Sequence, residues 1–84
     1  YETTDLCLAT TLQVVYQPPQ GLLPISPQKF YFQFKNSPEL VDLIVKYWHG
    51  ELRVEPLRFF NELSNLKTRL HENLSIVDQN KKGI

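Results

Sequence analysis

Between residues 29 and 35 apolar and polar positions alternate without a break. Phe30, Phe32 and Phe34 fall on one side, and Lys29, Tyr31, Gln33 and Lys35 on the other. Successive side chains of a strand point to opposite faces, so this segment is predicted as a strand with one buried and one wet face. Three phenylalanines on one face are a large apolar contribution for a short chain. A lone strand leaves its backbone groups unpaired, so a partner strand is expected from residues 16–25 or from another chain.

Residues 37–49 carry a helical pattern. Ser37 can cap its start, Pro38 stands at the first helical position where a missing N–H costs nothing, and Glu39 complements the positive end of the helix dipole. Gly50 can adopt the left-handed conformation that closes a helix, with His49 in the last turn. Glu39, Asp42, Lys46 and His49 form one narrow polar stripe, with Asp42 and Lys46 spaced four apart in the favourable order. The rest of the helix is apolar: Leu40, Val41, Leu43, Ile44, Val45, Tyr47 and Trp48. A surface helix needs apolar character over about a third of its circumference. The surplus implies packing on several sides or contact with a partner.

A third helix is predicted over residues 55–73, started at Glu55 and Pro56. Phe59, Phe60, Leu63, Leu66 and Leu70 are its expected buried stripe, and Arg58, Asn61, Glu62, Asn65, Arg69 and Glu72 its wet face. An earlier helix is predicted over residues 3–15, capped by Thr3 or Thr4, with Leu8, Ala9, Leu12 and Val15 as its stripe. Its β-branched residues weaken helix propensity, and Val14 to Tyr16 could equally be extended. Residues 17–28 hold four of the six prolines. They read as a loop enclosing a short edge strand at Leu22 to Ile25 and a turn at Ser26, Pro27 and Gln28. Leu52 and Val54 suggest an extended connector. The expected fold is α+β, three helices packed against a small two-stranded antiparallel hairpin, with the phenylalanines facing the second and third helices. One domain is expected over residues 3–74, with residues 75–84 as a disordered tail with a small basic end.

The stretches TTDLCLATTL, FYFQF and SPELVDLIVKYWHGELRVEPLRFFNELSNLKTRL resemble a small prokaryotic or phage domain family of unknown function. Its members have a Thr-Thr-Asp-Leu opening, a Phe-x-Phe strand, a capped helix ending in Tyr or Trp before a Gly, and a last helix with an early Phe. The resemblance covers residues 3–73 and rests on core and cap positions. The Pro-rich loop departs from it where a shorter hairpin would stand. The resemblance implies the fold and a prokaryotic or phage origin, and no site residues.

At 84 residues and 42% apolar content the chain is long enough for one small folded domain. Nine Lys and Arg balance nine Asp and Glu, so there is no global field to recruit nucleic acid or anionic membrane. The lone Cys7 rules out an internal disulfide and favours a reducing, cytoplasmic setting. No apolar run reaches the ~18 residues of a membrane span. The chain has no Met and begins at Tyr1, which reads as a piece or processed product of something longer.

Candidate chemistry is sparse. Cys7 and His49 could form a nucleophile and base, but no orienting group or oxyanion loop accompanies them, and Cys7 is expected to behave as a small hydrophobe. Cys7, His49 and His71 lack metal-ligand spacing. Glu39 and Asp42 could hold a hard cation, although Lys46 already neutralises part of that stripe. With three glycines in the chain there is no phosphate loop. Pro24 and Pro27 match a Pro-x-x-Pro ligand formally and read as a turn. No enzyme, cofactor, small-molecule substrate or membrane partner is expected.

Two non-catalytic readings remain. In the first, a protein-interaction or accessory module binds a protein partner or self-associates through the second helix or the open strand edge, with Tyr31, Leu43, Tyr47 and Trp48 as its surface. Aromatic residues at helical spacing are more often core, and Trp48 is expected there, with Tyr47 divided between core and surface. In the second, an accessory nucleic-acid-binding domain of phage or mobile-element type uses Arg58, Lys67 and Arg69 of the third helix. Lys81 and Lys82 would add to it, in an outline that resembles winged-helix shapes. Glu55, Glu62 and Glu72 on the same helix oppose that use.

Overall fold

In the computed structural model, backbone is described for residues 1–26 and 29–82, and side chains through residue 72 of these. The element order is β1 (Glu2–Thr3), α1 (Leu6–Val15), β2 (Gly21–Ser26), β3 (Lys29–Gln33), α2 (Pro38–Trp48) and α3 (Pro56–Lys82). The turn expected at Ser26 to Gln28 falls on residues 27 and 28, outside the described residues.

The two-stranded hairpin expected from the sequence is corrected to a three-stranded sheet of order β1-β3-β2. β2 and β3 form the antiparallel hairpin, with Leu22 opposite Phe32 and Pro24 opposite Phe30. Its pairing is irregular between Pro24 and Ser26, which suits an edge strand carrying a residue with no N–H to donate. The other edge of β3 is taken by the first residues of the chain, Glu2 opposite Gln33 and Thr3 opposite Phe32. Beyond that pair, Phe34 N–H donates to Tyr1 O at 2.8 Å and the Tyr1 amine donates to Phe34 O at 3.2 Å. The central strand therefore satisfies backbone groups on both sides, as a buried strand must.

This pairing also moves the start of the first helix. Thr3 belongs to the sheet, so the cap expected at Thr3 or Thr4 is Asp5, whose Oδ1 accepts from Leu8 N–H at 3.1 Å. Thr3 Oγ1 accepts from Asp5 N–H at 3.1 Å and braces the turn between strand and helix. Thr10 and Thr11, both buried, donate their hydroxyls to the carbonyls of Leu6 and Cys7 at 2.8 Å, one turn back. That satisfies the polar group that would otherwise make a buried threonine costly.

α2 follows its sequence signals closely. Ser37 Oγ accepts from Leu40 N–H at 3.1 Å, with Pro38 in the first turn. At the other end Glu51 N–H reaches Lys46 O at 2.9 Å, Gly50 N–H reaches Tyr47 O at 3.0 Å, and Gly50 has φ +70°. These are the paired bonds of a left-handed glycine cap. His49 and Gly50 thus close the helix, and Arg53 Nη1 donates to Gly50 O at 2.8 Å and Leu52 O at 3.0 Å to fix the connector. That connector is irregular, with no strand at Leu52 or Val54. α3 opens on Glu55, whose carboxylate accepts from the N–H groups of Leu57 and Arg58. It stays helical through Lys82, past residue 74 where the apolar pattern fades. The expected tail therefore begins as helical backbone, and its last two residues lie outside the described ones.

Leu8, Ala9, Leu12, Phe32, Phe34, Leu40 and Leu66 form one buried cluster, with Leu6, Tyr16, Leu22, Leu43, Ile44, Tyr47 and Leu70 packed around it. Phe32 and Phe34 share this cluster with residues of all three helices, and α1 packs against both α2 and α3. Each fully buried leucine stabilises the fold by roughly 1.5–3 kcal/mol relative to exposure. Two members of the expected core are exposed to solvent: Phe60 is 63% exposed and Trp48 is 62% exposed. At 100° per residue Phe60 lies well round the helix from Leu63, Leu66 and Leu70, and α1 covers only that second side.

Candidate interaction surface

The circumference of α2 divides into three sectors. Leu40, Leu43, Ile44 and Tyr47 recur at helical spacing and pack on the core. Glu39, Asp42, Lys46 and His49 form the charged sector, where Lys46 Nζ stands 3.0 Å from Asp42 Oδ2. Between them runs a third sector at the same spacing: Val41, Val45 and Trp48, exposed at 56%, 48% and 62%. No other element of the chain covers it among the described residues.

Trp48 is oriented by the core beneath it. The rings of Tyr47 and Trp48 lie edge to face, 5.0 Å between centroids and 86° between planes. Such pairs contribute about 0.5–1.5 kcal/mol beyond area burial. A residue anchored in the core thus steadies the exposed indole. Tyr47 itself is held protonated, its pKa pushed above the ordinary phenol value. Burial is the main cause, followed by Cys7, which favours the protonated phenol through hydrogen bonding and, as a thiolate, through its charge, and then by the Asp5 carboxylate. Cys7, expected to behave as a small hydrophobe, is exposed.

The residues named from the sequence are therefore distributed as follows. Trp48 is on the open surface, Leu43 and Tyr47 are partly buried against the core, and Tyr31 is half-buried on the sheet face opposite the phenylalanines. Val41 and Val45 were not singled out. Their signal was present in the sequence: once Leu40, Leu43, Ile44 and Tyr47 are assigned to the core, the other apolar positions of α2 form a stripe of their own.

Arg58, Lys67 and Arg69 do not share a face. Eleven residues separate Arg58 from Arg69, about three turns, whereas Lys67 lies on the other side of α3. Arg58 is also engaged locally, its Nη2 donating to Val14 O at 3.3 Å. Glu62 stands between the two arginines and accepts from Gln13 Nε2. The side chains of Lys81 and Lys82 lie outside the described residues.

His49 Nδ1 is 3.8 Å from Glu51 Oε1, an exposed contact beside the helix cap. Among the described residues, no three of His, Cys, Asp and Glu come together where a metal could sit. No helix there is long and apolar enough to cross a membrane. A cleft of about 150 Å³ opens between Thr4, Leu6, Lys29, Phe30, Phe32 and Leu70. Small-molecule sites usually enclose ~300–1,000 Å³, so this cleft, with Thr4 and Lys29 as its polar lining, is small.

No family model matches the chain, and no solved structure matches it. It is similar to the glutamate–tRNA ligase of Neisseria meningitidis serogroup B, 33% identical over 67 residues. That alignment takes in 80% of this chain and 14% of the ligase, so the chain spans about a seventh of the length of the curated relative it matches.

Proposed function

We propose that this chain is a non-catalytic interaction module that binds protein through the Val41, Val45 and Trp48 sector of α2. The observation that carries the reading is a continuous apolar stripe, bordered by charge, with a tryptophan steadied from the core. Exposed apolar patches rimmed by polar residues mark association sites, and tryptophan is enriched among residues that dominate binding energy. Burying the stripe adds affinity without disturbing the fold, because none of the three side chains is part of the core.

A photo-crosslinking residue at position 45, compared with one at Asn65 on the wet face of α3, tests this in cells. Protein adducts concentrated at position 45 and lost in Trp48→Ala support the reading. Equal labelling at both positions would refute it.

The likeness to a segment of a tRNA ligase favours a second reading, in which the chain is an accessory nucleic-acid-binding module. That reading requires salt-dependent RNA or DNA retention that falls on joint replacement of Arg58, Lys67 and Arg69 by alanine. The division of these cations between two sides of α3 weighs against it.

A further inference from the structure

β1 pairs with only part of β3. In an antiparallel ladder the bonded pairs recur at every second residue. Tyr1 and Phe34 exchange both of their backbone bonds. The next bonded positions toward the start of β3 are Phe32, opposite Thr3, and then Phe30. Asp5 would be in register with Phe30, but its backbone is used elsewhere. Its N–H donates to Thr3 Oγ1 at 3.1 Å, and its carbonyl accepts from Ala9 N–H at 2.9 Å as α1 begins. Phe30 therefore turns an N–H and a C=O to this edge with no backbone partner among the described residues, although the residue is only 7% exposed.

The cleft of about 150 Å³ stands at that place. Thr4 and Leu6 flank the point where the chain turns off the sheet, Lys29, Phe30 and Phe32 belong to the strand it leaves, and Leu70 comes from α3.

We infer that this cleft is a strand-addition site for an extended segment of another protein. The segment continues the ladder where β1 stops, placing one apolar side chain in the cleft and an acidic one beside Lys29. Unpaired strand groups are a template for a further strand. Extended peptides are recognised in this way, with backbone bonds giving affinity and pockets for alternate side chains giving specificity. Residues opposite one another on paired strands share a face. The ligand residue opposite Phe30 thus projects on the phenylalanine face, toward Leu6, Phe32 and Leu70. A cavity of ~150 Å³ holds one benzene ring, so the room suits a single leucine- or phenylalanine-sized side chain. With the segment antiparallel, as β1 is, its next residue stands opposite Lys29, where an opposite charge is favoured and a like charge is opposed. An apolar residue followed by Asp or Glu is the expected signature. The outer edge of β2 is a poorer template, since Pro24 has no N–H to donate.

No residue of α2 lines this cleft, so the site stands or falls apart from the Val41, Val45 and Trp48 surface. One ladder position, one side chain and one exposed charge pair support an affinity near ~1 mM.

The probes are the blocked peptide acetyl-Gly-Leu-Glu-Val-amide and two variants of it, one with Ser for Leu and one with Lys for Glu. Each is titrated into isotope-labelled protein followed by nuclear magnetic resonance. The first peptide should shift the Phe30 amide and slow its exchange with solvent, roughly tenfold at about ten times the dissociation constant. The serine peptide should bind about tenfold more weakly or worse, and the lysine peptide roughly threefold or more. Lys29→Glu, a change at an exposed site, should reverse the order of the glutamate and lysine peptides. No response at Phe30, or an equal response to the leucine and serine peptides, overturns the strand-addition site. A preference for glutamate that survives Lys29→Glu overturns the acidic signature.

Discussion

Ser37 and Tyr16 form a polar chain whose directions can be assigned in full. Leu40 N–H donates to Ser37 Oγ at 3.1 Å, and Tyr16 Oη lies 2.8 Å from the same oxygen. Tyr16 Oη is also 3.1 Å from Lys35 O, which can only accept, so the tyrosine proton goes there. The serine proton must then go to Tyr16. One relay thus joins the end of α1, the strand exit after β3 and the first turn of α2. Ser37→Ala removes the cap, about 1 kcal/mol within a 0.5–2 kcal/mol range. Tyr16→Phe leaves the serine proton and the Lys35 carbonyl to solvent, a loss of about 0.5–1.5 kcal/mol. The Ser–Tyr bond is broken by either change, so the double variant should lose about 0.5–1 kcal/mol less than the two losses combined. Urea unfolding followed by far-ultraviolet circular dichroism measures all four proteins. Each single change should lower the melting temperature by about 4–8 °C per kcal/mol in a domain of this size. Strict additivity, or a loss below about 0.3 kcal/mol in Ser37→Ala, would show that the relay does not hold α2 in place.

Three further outcomes follow from the structure. Leu66→Ala empties a fully buried site at the centre of the cluster and should cost about 2–5 kcal/mol in the same unfolding assay, whereas Phe60→Ser at a site 63% exposed should stay within about 0.5 kcal/mol. Gly50→Ala should cost about 1 kcal/mol, because φ is +70° while nothing stands within 4 Å of an added Cβ; Gly50→Asn should cost less. The Tyr47 phenol has a folded pKa raised above its unfolded value of about 10, so its contribution to stability is whole below pH ~10 and is lost as pH climbs toward the folded value. In an alkaline titration at the phenolate absorbance, one of the four tyrosines should ionise late, and Tyr47→Phe should remove that late component.

Signals carried within a few residues were legible before the fold was known. The alternation at Phe30, Phe32 and Phe34, the Ser37, Pro38 and Glu39 start, the Gly50 stop and the Pro56 start all act through local backbone geometry, and each stands where expected. Glu2 and Thr3 form a strand because Phe32 and Gln33 pair with them, and two residues have no periodicity of their own. That same pairing decided between neighbouring caps in favour of Asp5. The candidate surface was legible as a surplus on α2 and not as particular residues. Which flank of an over-apolar helix stays open depends on which neighbour covers the other side. Phe59 and Phe60 were separable by helical phase, since Phe59 lines up with Leu63, Leu66 and Leu70 and Phe60 does not.

The strand contributed by Glu2 and Thr3 also has a kinetic meaning. Its partner lies 31 residues downstream, so closing that loop is entropically expensive, while β2 and β3 pair residues close in sequence and α1 needs only its own residues. Glu2 and Thr3 must wait for Phe32 and Gln33 to emerge before they can dock. Such late-docking elements act mainly on the rate of leaving the native state, so weakening this edge should hasten unfolding and leave the refolding rate almost unchanged.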